Sequence, residues 1–229
     1  MILSLVSDSS YNRCDRIAIG YFNAYTADLA TIDNRFQDSL KLLDIMYADG
    51  IGVHLAARFL GSTIKYSTIS NATDLNHGLL DAANRHSKKI FVLGSAQDSV
   101  DKFVGRVRRQ YPKIRVVGFQ DGYTDIDSPA LIRHINNANP DILLVGMGQP
   151  LQELWYSRYR ETLAVPAVVM VGGFIDFFSG HKRRAPLFMR VVGLEWFFRL
   201  LHEPRRLWRR YVFGIPRFIV LVAKQKFSK

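Results

Sequence analysis

The stretch KKIFVLGSAQDSVDKFVGRVRRQYPKIRVVG, residues 88–118, contains the pattern that decides the fold. It begins with a continuous apolar run, passes through Gly94 and Ser95 into a segment with helical spacing of apolar residues, and returns to a second β-branched run. Strands that are apolar on both sides are covered on both faces, and such strands are typical of parallel sheets. The stretch therefore predicts a strand, a helix and a second strand parallel to the first.

The same alternation of apolar run and helical pattern recurs along most of the chain. Strand-like runs occur at residues 17–24, 45–52, 141–150 and 167–173, and each is followed by a helix-like pattern. Several strands that each lead into a helix indicate a doubly wound sheet with helices on both faces. We predict an α/β fold, a Rossmann-like, doubly wound, mostly parallel sheet with a basic, aromatic-rich C-terminal helical appendage.

The composition is that of a globular protein without a disulfide framework. The chain has 229 residues, of which 48% are hydrophobic, and a single cysteine, Cys14. One cysteine fits a reducing compartment, and the first residues contain too short an apolar run for a secretory signal. No window of the sequence approaches the roughly 20 apolar residues that span a bilayer. We therefore expect a cytoplasmic location.

Positive charge is concentrated at the C-terminal end. Residues 1–179 contain 18 Lys and Arg against 18 Asp and Glu, whereas residues 180–229 contain 13 against 2, so the net charge of +11 lies in the second part. A basic, aromatic-rich end indicates an anionic partner, whether nucleic acid, lipid headgroups or a phosphorylated ligand, although a solvated basic face is the simpler alternative. We predict an α/β domain over residues 1–190 and an appendage over residues 191–229.

Polar and glycine residues follow the predicted strands, at the edge where open α/β sheets bind ligands. They are Asn23, Asp49, Gly50, Gly94, Ser95, Gly118, Gly146, Gly148, Gln149, Gly172 and Gly173. Glycine lets the backbone approach a phosphate, but it is also common in strand-to-helix turns for backbone reasons alone. Because neither G-x-G-x-x-G nor G-x-x-x-x-G-K-[ST] occurs, the sequence predicts neither a dinucleotide fingerprint nor a P-loop.

Four motifs, taken in order and spacing, give the sequence a specific resemblance. They are ADGIGV (48–53), PDILLVGMGQPLQE (140–153), GGFIDFFSGHKRRAP (172–186) and GLEWFFRLLHEPRRLWRRY (193–211). From about residue 17 to residue 213 the chain resembles the WecG/TagA/CpsF family of bacterial glycosyltransferases. The resemblance implies an inverting enzyme that moves a sugar from a UDP-activated donor to a polyprenyl-diphosphate-linked saccharide, peripherally at the inner face of the plasma membrane, in surface polysaccharide synthesis.

Asp49 is the candidate catalytic base. It follows an apolar strand, and Gly50 permits the tight turn that directs the carboxylate into the crevice. Inverting transfer needs a base that deprotonates the acceptor hydroxyl while the nucleotide diphosphate leaves from the opposite face of the sugar. The resemblance also implies this role for the Asp of the DG motif. The alternative is an Asp that caps a helix beginning near Ile51.

Further strand-end residues are candidates for binding the nucleotide-sugar donor. Asn23 matches the Asn of the family's first strand-end motif, although Asn is also common in turns. Gln152, which both donates and accepts hydrogen bonds, suits sugar hydroxyls or phosphate, whereas Glu153 fits an ordinary capping position. Asp176 either contacts the donor or caps the next helix. The predicted donor-binding set is Asn23, Gly94, Gly146, Gly148, Gln149, Gln152 and Asp176.

Four arginines near the C-terminus are candidates for binding the acceptor diphosphate and the anionic membrane surface. They are Arg199, Arg206, Arg209 and Arg210. Guanidiniums bind phosphate oxygens bidentately, and the neighbouring aromatic residues favour the boundary between headgroups and acyl chains. The spacing of the first three predicts one side of a helix, which Pro204 interrupts and Pro216 ends. The resemblance implies that this appendage docks on the membrane and closes over the active site.

We expect neither a metal nor another cofactor. No His/Cys cluster has zinc spacing, and no Asp-x-Asp pair directly follows a predicted strand. The sequence therefore predicts metal-independent transfer. Lys182, Arg183 and Arg184, together with helix dipoles, are candidates for stabilising the leaving diphosphate.

Three departures from the family pattern leave the donor sugar open. Tyr21 stands where Thr is usual and Leu151 where Lys is usual, and residues 69–74 have Ala72 at the Gly position of the expected Arg-x-x-Gly-x-Asp. The donor sugar is therefore N-acetylmannosamine or a related sugar or uronic acid. Two alternatives come from other classes: a basic nucleic-acid-binding protein, although no known nucleic-acid motif occurs, and a membrane-associated scaffold without catalysis.

Overall fold

The computed structural model describes residues 16–62 and 72–228, which contain one six-stranded parallel sheet. Its strands are β1 (Ile17–Phe22), β2 (Ile45–Ala48), β3 (Lys89–Gly94), β4 (Arg115–Gln120), β5 (Ile142–Gly146) and β6 (Ala167–Met170). They lie in the order β2-β1-β6-β5-β3-β4, and each neighbouring pair is parallel. The Rossmann-like, doubly wound fold predicted from the alternating pattern is confirmed.

Helices connect the strands and continue after the last one. They are α1 (Ala24–Ile32), α2 (Asn34–Leu40), α3 (Ile51–Phe59), α4 (Ala72–Arg85), α5 (Gln97–Gln110), α6 (Pro129–Ala138), α7 (Leu151–Tyr159), α8 (Phe174–Ser179), α9 (Leu187–Val191), α10 (Glu195–His202), α11 (Pro204–Arg209) and α12 (Ile215–Phe227), with a π-helical turn at Arg210–Gly214. We call residues 191–228 the C-terminal segment. The boundary predicted at residue 190 falls inside α9, and the division into two domains stays a prediction.

Two apolar clusters cover the two faces of the sheet. The alternation of side chains along β5 shows how they arise, since successive residues of a strand point to opposite faces. Leu144 packs in the cluster that contains Phe103 of α5, whereas Leu143 and Val145 pack in the cluster that contains Trp155 of α7. All five residues of β5 are buried, as the continuous apolar run predicts. The sheet is therefore a rigid platform for the residues at its strand ends.

One expected strand-end residue lies elsewhere. Gly118 is inside β4, which continues to Gln120, so the prediction that Gly118 follows a strand is wrong. A Cβ atom at this position would overlap the ring of Phe91 on β3, next to a shift in the register between the two strands. Gly118 is thus required for packing within the sheet, and Asp121 is the residue that follows β4.

The prolines of the C-terminal segment act differently from one another. Pro204 separates α10 from α11, as predicted. Pro216 does not end a helix; it lies in the first turn of α12, which continues to Phe227, so that prediction is wrong. The first turn of a helix tolerates proline because its backbone N–H groups have no partner within the helix.

No helix within residues 16–62 and 72–228 is long and apolar enough to cross a membrane.

Candidate active site

A cavity of about 640 Å³ lies at the carboxyl ends of β1, β2 and β6, beneath the C-terminal segment. Because β1 lies between β2 and β6, the residues that follow these three strands adjoin one another. Asn23 and Asp49 line the cavity from the sheet, and Arg199 and Arg210 line it from the C-terminal segment. Residues of the predicted α/β domain and of the predicted appendage therefore line one space.

Asp49 is placed by the backbone of β2 and by two hydrogen bonds. Its N–H donates to the carbonyl of Phe22 at 2.8 Å, which extends the pairing of β2 with β1 by one residue. Its Oδ1 accepts from the N–H of Ala72 at 3.0 Å, and its Oδ2 accepts from Asn23 Nδ2 at 3.5 Å. Gly50, with φ +85°, forms the N-cap of α3, and no side chain caps that helix. Asp49 is therefore directed into the cavity and does not cap α3.

Asn23 connects the first strand to both charged sides of the cavity. Its Oδ1 accepts from the N–H groups of Tyr25 and Thr26, and so caps α1. The same oxygen accepts from Arg210 Nη2 at 3.4 Å, while Nδ2 donates to Asp49. Asn23, predicted to bind the donor, is thus a bridge between the candidate base and a cation of the C-terminal segment.

Arg210 and Arg199 bring two guanidiniums into the cavity over aromatic rings. The guanidinium carbon of Arg210 lies 4.3 Å from the ring centre of Tyr25, and that of Arg199 lies 5.3 Å from the ring centre of Phe177. Burial lowers the pKa of Arg210 from its ordinary value, and the charge of Arg199 lowers it further. Two like charges held close together in a partly desolvated place favour an anionic ligand between them.

The other two predicted arginines do not line this cavity. Arg206 Nε pairs with Glu203 Oε2 at 2.5 Å, three residues earlier in the chain. The guanidinium of Arg209 lies over the ring of Trp208, 5.3 Å from its centre, and the residue is exposed. Arg199 lies on α10, whereas Arg206 and Arg209 lie on α11, and Pro204 separates the two helices, as predicted.

A buried network of side chains holds the loops after β5 and β6. Gln152 is fully buried, and its Oε1 accepts from the N–H groups of Gly148 and Gly172, both at 3.2 Å. Its Nε2 donates to Glu153 Oε1 at 2.8 Å. Gln149 donates to the same Glu153 oxygen at 3.2 Å. The structure thus places Gln152, predicted as a donor ligand, behind the site, where it fixes two strand-end loops.

Gln149 ties this network to the first strand. Its Nε2 donates to the carbonyl of Tyr21 at 3.2 Å, and its Oε1 accepts from Thr26 Oγ1 at 2.8 Å. Burial raises the pKa of Glu153 to about 6, although the hydrogen bonds from both glutamines oppose the shift. Burial, with the nearby charges of Glu153 and Asp49, raises the pKa of Tyr21 well above its ordinary value. The side chains beneath the site are therefore shielded from water and joined to one another by hydrogen bonds.

Tyr21 packs directly against the turn after β6. Gly172 has φ +53°, and a Cβ atom on it would overlap the Tyr21 hydroxyl. Left-handed backbone and lack of space both require glycine here. Tyr21 also lines the cavity, so this departure from the family pattern is in contact with the site. Leu151, the second departure, is exposed at the first turn of α7, and of residues 69–74 the first three lie outside the described residues.

The remaining predicted donor residues lie at the ends of β3 and β5. Gly94 has φ +128°, and a Cβ atom on it would lie 2.5 Å from the carbonyl of Gly146, with which it pairs. Asp176 accepts from the Ser95 hydroxyl and pairs with Lys182 at 2.9 Å. Burial alone would raise the pKa of Asp176, but these partners outweigh it and hold the pKa below its ordinary value.

Asp176 and its partners are not among the residues that line the Asp49 cavity. Lys182 also pairs with Glu203 of the C-terminal segment at 3.5 Å, and Arg184 pairs with Asp74 at 2.8 Å. Two of the three cations that were expected to stabilise a leaving diphosphate therefore already have carboxylate partners. They link the loop after α8 to its neighbours.

The sequence patterns did not identify four residues that shape the cavity. The rings of Tyr25 and Phe177 pack against the guanidiniums of Arg210 and Arg199. Arg190 and Glu195 also line the cavity, one basic and one acidic. Burial raises the pKa of Glu195 above its ordinary value. Glu195 had a signal, since it is one of only two acidic residues in the basic stretch 180–229. Arg190 lies between motifs, and nothing in its neighbourhood in the sequence marks it.

Within the ranges that the structure describes, no group of three or more His, Cys, Asp and Glu side chains is placed to hold a metal ion. Metal independence stays a prediction from the sequence.

Comparison with known proteins finds a family and relatives that share a name. The model of the Glycosyl transferase WecG/TagA/CpsF family matches residues 5–229. The N-acetylglucosaminyldiphosphoundecaprenol N-acetyl-beta-D-mannosaminyltransferase of Bacillus subtilis strain 168 is 34% identical over 211 residues, 92% of this chain and 80% of that protein. The protein of the same name from Staphylococcus aureus strain MW2 is 28% identical over 204 residues, 89% of this chain and 78% of that protein.

Proposed function

The chain belongs to the WecG/TagA/CpsF family of glycosyltransferases, and we propose that it transfers a sugar from a UDP-activated donor to a polyprenyl-diphosphate-linked saccharide in bacterial surface polysaccharide synthesis. The names of its relatives make N-acetylmannosamine the first donor sugar to test and N-acetylglucosaminyl-diphosphoundecaprenol the first acceptor. Tyr21 and Leu151, which depart from the family pattern, leave room for a related sugar or uronic acid.

The observation that carries the proposal is the placement of Asp49 in one cavity with Arg199 and Arg210. A carboxylate can remove the proton from an acceptor hydroxyl as that oxygen forms a bond to the anomeric carbon of the donor sugar. The bond from the anomeric carbon to the phosphate oxygen breaks on the opposite face, and UDP leaves with the electron pair. The configuration at the anomeric carbon is thereby inverted, and the proton stays on Asp49.

In this proposal the two arginines bind the diphosphate of the acceptor. A guanidinium forms two parallel hydrogen bonds to phosphate oxygens, and the aromatic rings of Tyr25 and Phe177 hold the planes of the two groups in place. Asn23 links Arg210 to Asp49, so the cation that binds the acceptor and the base that activates it are kept at a constant separation. Binding of the acceptor would therefore align its hydroxyl with the carboxylate.

The donor is proposed to bind over the ends of β3, β5 and β6. Gly148 leaves the backbone accessible there, since nothing lies near its Cβ position, and the N-termini of α7 and α8 supply positive dipole for the leaving diphosphate. Gly94 and Gly146 are buried, and their lack of a Cβ atom lets the loops after these strands pack closely. Asp176 lies beside these ends, where it accepts from Ser95, which follows β3. Gln149 and Gln152 serve the donor indirectly in this scheme, because their amides hold the loops that carry these groups.

The outer surface of the C-terminal segment is proposed to rest on the inner face of the plasma membrane. Phe213, Leu201 and Val212 are each more than half exposed, and Arg206 and Arg209 lie on the same segment outside the cavity. Apolar side chains among basic ones suit the interface between acyl chains and anionic headgroups. Of the four predicted arginines, two would then bind the acceptor diphosphate and the other two, Arg206 and Arg209, would contact the membrane.

The test is transfer by purified protein in detergent, with UDP-sugars supplied one at a time and N-acetylglucosaminyl-diphosphoundecaprenol as acceptor. UDP release that depends on both substrates, together with a disaccharide product on the lipid, is the expected result. Asp49→Asn should slow turnover roughly 100-fold or more, the usual contribution of a positioned base. The variant should keep the wild-type melting temperature and bind UDP within a few-fold of wild type.

Near wild-type turnover by Asp49→Asn would remove Asp49 from the role of base. Failure of every UDP-sugar to react with the lipid-linked acceptor, in a protein that is folded and binds UDP, would overturn the choice of acceptor.

A further inference from the structure

The Asp49 cavity has a second arm whose chemistry differs from that of its charged end. This arm runs between α3 and α12 and is lined by aliphatic and aromatic side chains. They include Leu55, Ala56, Phe59, Ile219, Val222 and Ala223. The reaction proposed above assigns no role to these residues. We therefore ask which ligand the arm binds.

The walls of the arm include apolar side chains that are largely exposed. Leu55 is 58% exposed and Ile219 is 60% exposed, although both line a cavity. No residue of α3 is fully buried, and Phe218 is the buried residue of α12. Contiguous exposed apolar surface of this kind marks a place for an apolar ligand or partner. Its enclosure between two helices favours a narrow chain over a flat protein surface.

The arm is continuous with the site that binds the diphosphate in the proposed function. It starts at Ile215, next to the turn that carries Arg210, and follows α12 to Ala223, which spans about 12 Å at 1.5 Å per residue. Near its far end Lys226 lies over the ring of Phe59, 5.8 Å from the centre, and Lys224 and Arg58 are close in the chain. The order along the arm is therefore guanidinium, apolar wall, basic rim.

We propose that the arm between α3 and α12 binds the first isoprene units of the lipid that carries the acceptor. This inference rests on the proposed function, in which the acceptor is a polyprenyl diphosphate. With its diphosphate at Arg199 and Arg210, such an acceptor must direct its chain away from the reacting hydroxyl, and the arm extends from this charged end along α3 and α12 as far as Phe59 and Ala223. The enzyme then selects its acceptor by the lipid as well as by the sugar. The basic rim lies where the rest of the chain would enter the membrane.

The test compares binding of two diphosphates that differ only in isoprenoid length. Titration calorimetry with farnesyl diphosphate, below its micelle-forming concentration, and with dimethylallyl diphosphate needs neither membrane nor sugar. Farnesyl diphosphate should bind at least about 10-fold more tightly, since each additional buried methylene adds roughly 0.8 kcal/mol at full burial. Leu55→Asn and Ile219→Asn should bring the ratio of the two affinities towards one.

Val220→Asn is the matched control. Val220 is next to Ile219 on α12 and is 51% exposed, but it does not line the cavity. This variant should keep the wild-type ratio of affinities. All three substitutions are at partly exposed positions, so melting temperatures close to that of the wild type are expected and will verify folding.

Each outcome has a distinct meaning for the two proposals. Equal affinities in the wild type, or a preference for farnesyl diphosphate that survives both arm substitutions, would overturn the arm as the isoprenoid site. Chain-length-dependent binding without transfer to any lipid-linked acceptor would leave the arm intact and overturn the proposed reaction. Transfer to lipid-linked and short-chain acceptors with equal efficiency would support the proposed reaction and overturn the arm as the isoprenoid site.

Discussion

The sheet and the C-terminal segment are stabilised in different ways. Every residue of β5 is buried, and side chains from both faces of the sheet belong to two large apolar clusters. In the C-terminal segment, by contrast, the buried residues among those described are Leu207, Gly214 and Phe218, and neither cluster includes them. The sheet is thus stabilised by area removed from water, and the segment depends on contacts that are few and specific.

The contacts that attach the segment include the buried side chains of Leu207 and Phe218 and an ion pair with the first helix. Arg217 Nε lies 2.6 Å from Asp28 Oδ1, and the Asp28 side chain is 3% exposed. Gly214 packs on the same carboxylate, since a Cβ atom on it would lie 3.1 Å from Asp28 Oδ2. We therefore expect changes in the sheet to alter stability first, and changes in the segment to alter activity first.

Removal of residues 191–229 should give the largest effect and the clearest separation of the two regions. The shortened chain should unfold cooperatively, because it keeps both apolar clusters, but transfer should be lost with Arg199 and Arg210. The deleted residues carry nine Lys and Arg and two Glu, and each basic residue near an anionic surface contributes about 1 kcal/mol. Association with anionic vesicles should weaken by several orders of magnitude in a co-sedimentation assay.

Raised salt should reproduce part of that loss in the intact protein, because it screens exposed charges. A shortened protein that still sediments with vesicles and still transfers sugar would contradict this account of the segment. Tighter binding of the intact protein to single-stranded RNA than to anionic vesicles would instead favour the nucleic-acid alternative.

A finer test uses two adjacent arginines within the segment. Arg210 reaches into the cavity, where it contacts Asn23 and Tyr25, whereas Arg209 is exposed beside Trp208. Arg210→Ala should lower kcat/KM for the diphosphate-linked acceptor by about 10- to 100-fold, the range expected for a charged hydrogen-bonding group. Arg209→Ala should stay within a few-fold in detergent and weaken vesicle association. Steady-state kinetics with the acceptor varied will measure both.

Donor affinity should be nearly unchanged in both variants. Equal kinetic losses for Arg209→Ala and Arg210→Ala would mean that charge near the site, and not contact with the ligand, is what matters. The division of the arginines into two pairs would then be wrong.

The smallest expected effect concerns Glu153, which lies next to the sheet, and it is measured as a change in the free energy of unfolding. Burial raises the pKa of Glu153 from 4.5 to about 6, so the folded state holds this proton more tightly than the unfolded state. The resulting stabilisation is complete below about pH 4.5 and is lost as the pH rises through about 6. It amounts to about 2 kcal/mol. The free energy of unfolding of the wild type, relative to that of Glu153→Gln, should fall by this amount across that interval.

Glu153→Gln keeps an oxygen that can accept from Gln149 and Gln152, so the loops should remain in place. Chemical denaturation at a series of pH values will measure the difference. A difference that is constant between pH 4 and pH 7 would show that Glu153 keeps the same proton occupancy in the folded and unfolded states.

Much of the fold and part of the site were predictable because they depend on local pattern. The apolar runs predicted each strand, and the strand order brought Asn23 and Asp49 together at one edge. The features that the sequence did not predict depend on contacts between residues that are distant in the chain. The hydrogen bond of Gln152 with Gly172, twenty residues later in the chain, and the contact of Arg210 with Asn23 are of this kind. Local sequence around these residues contains no information about such partners.

The contact between Tyr21 and Gly172 imposes an order on how this site can change during evolution or engineering. Substitution of Gly172 first is penalised twice, by its backbone angle and by overlap with the Tyr21 hydroxyl. Tyr21→Thr removes the overlap and leaves only the backbone cost, so it makes a later Gly172→Asn less harmful, since Asn tolerates left-handed backbone better than most residues. The two positions are therefore epistatic, and a library that varies the floor of the cavity should mutate Tyr21 before Gly172.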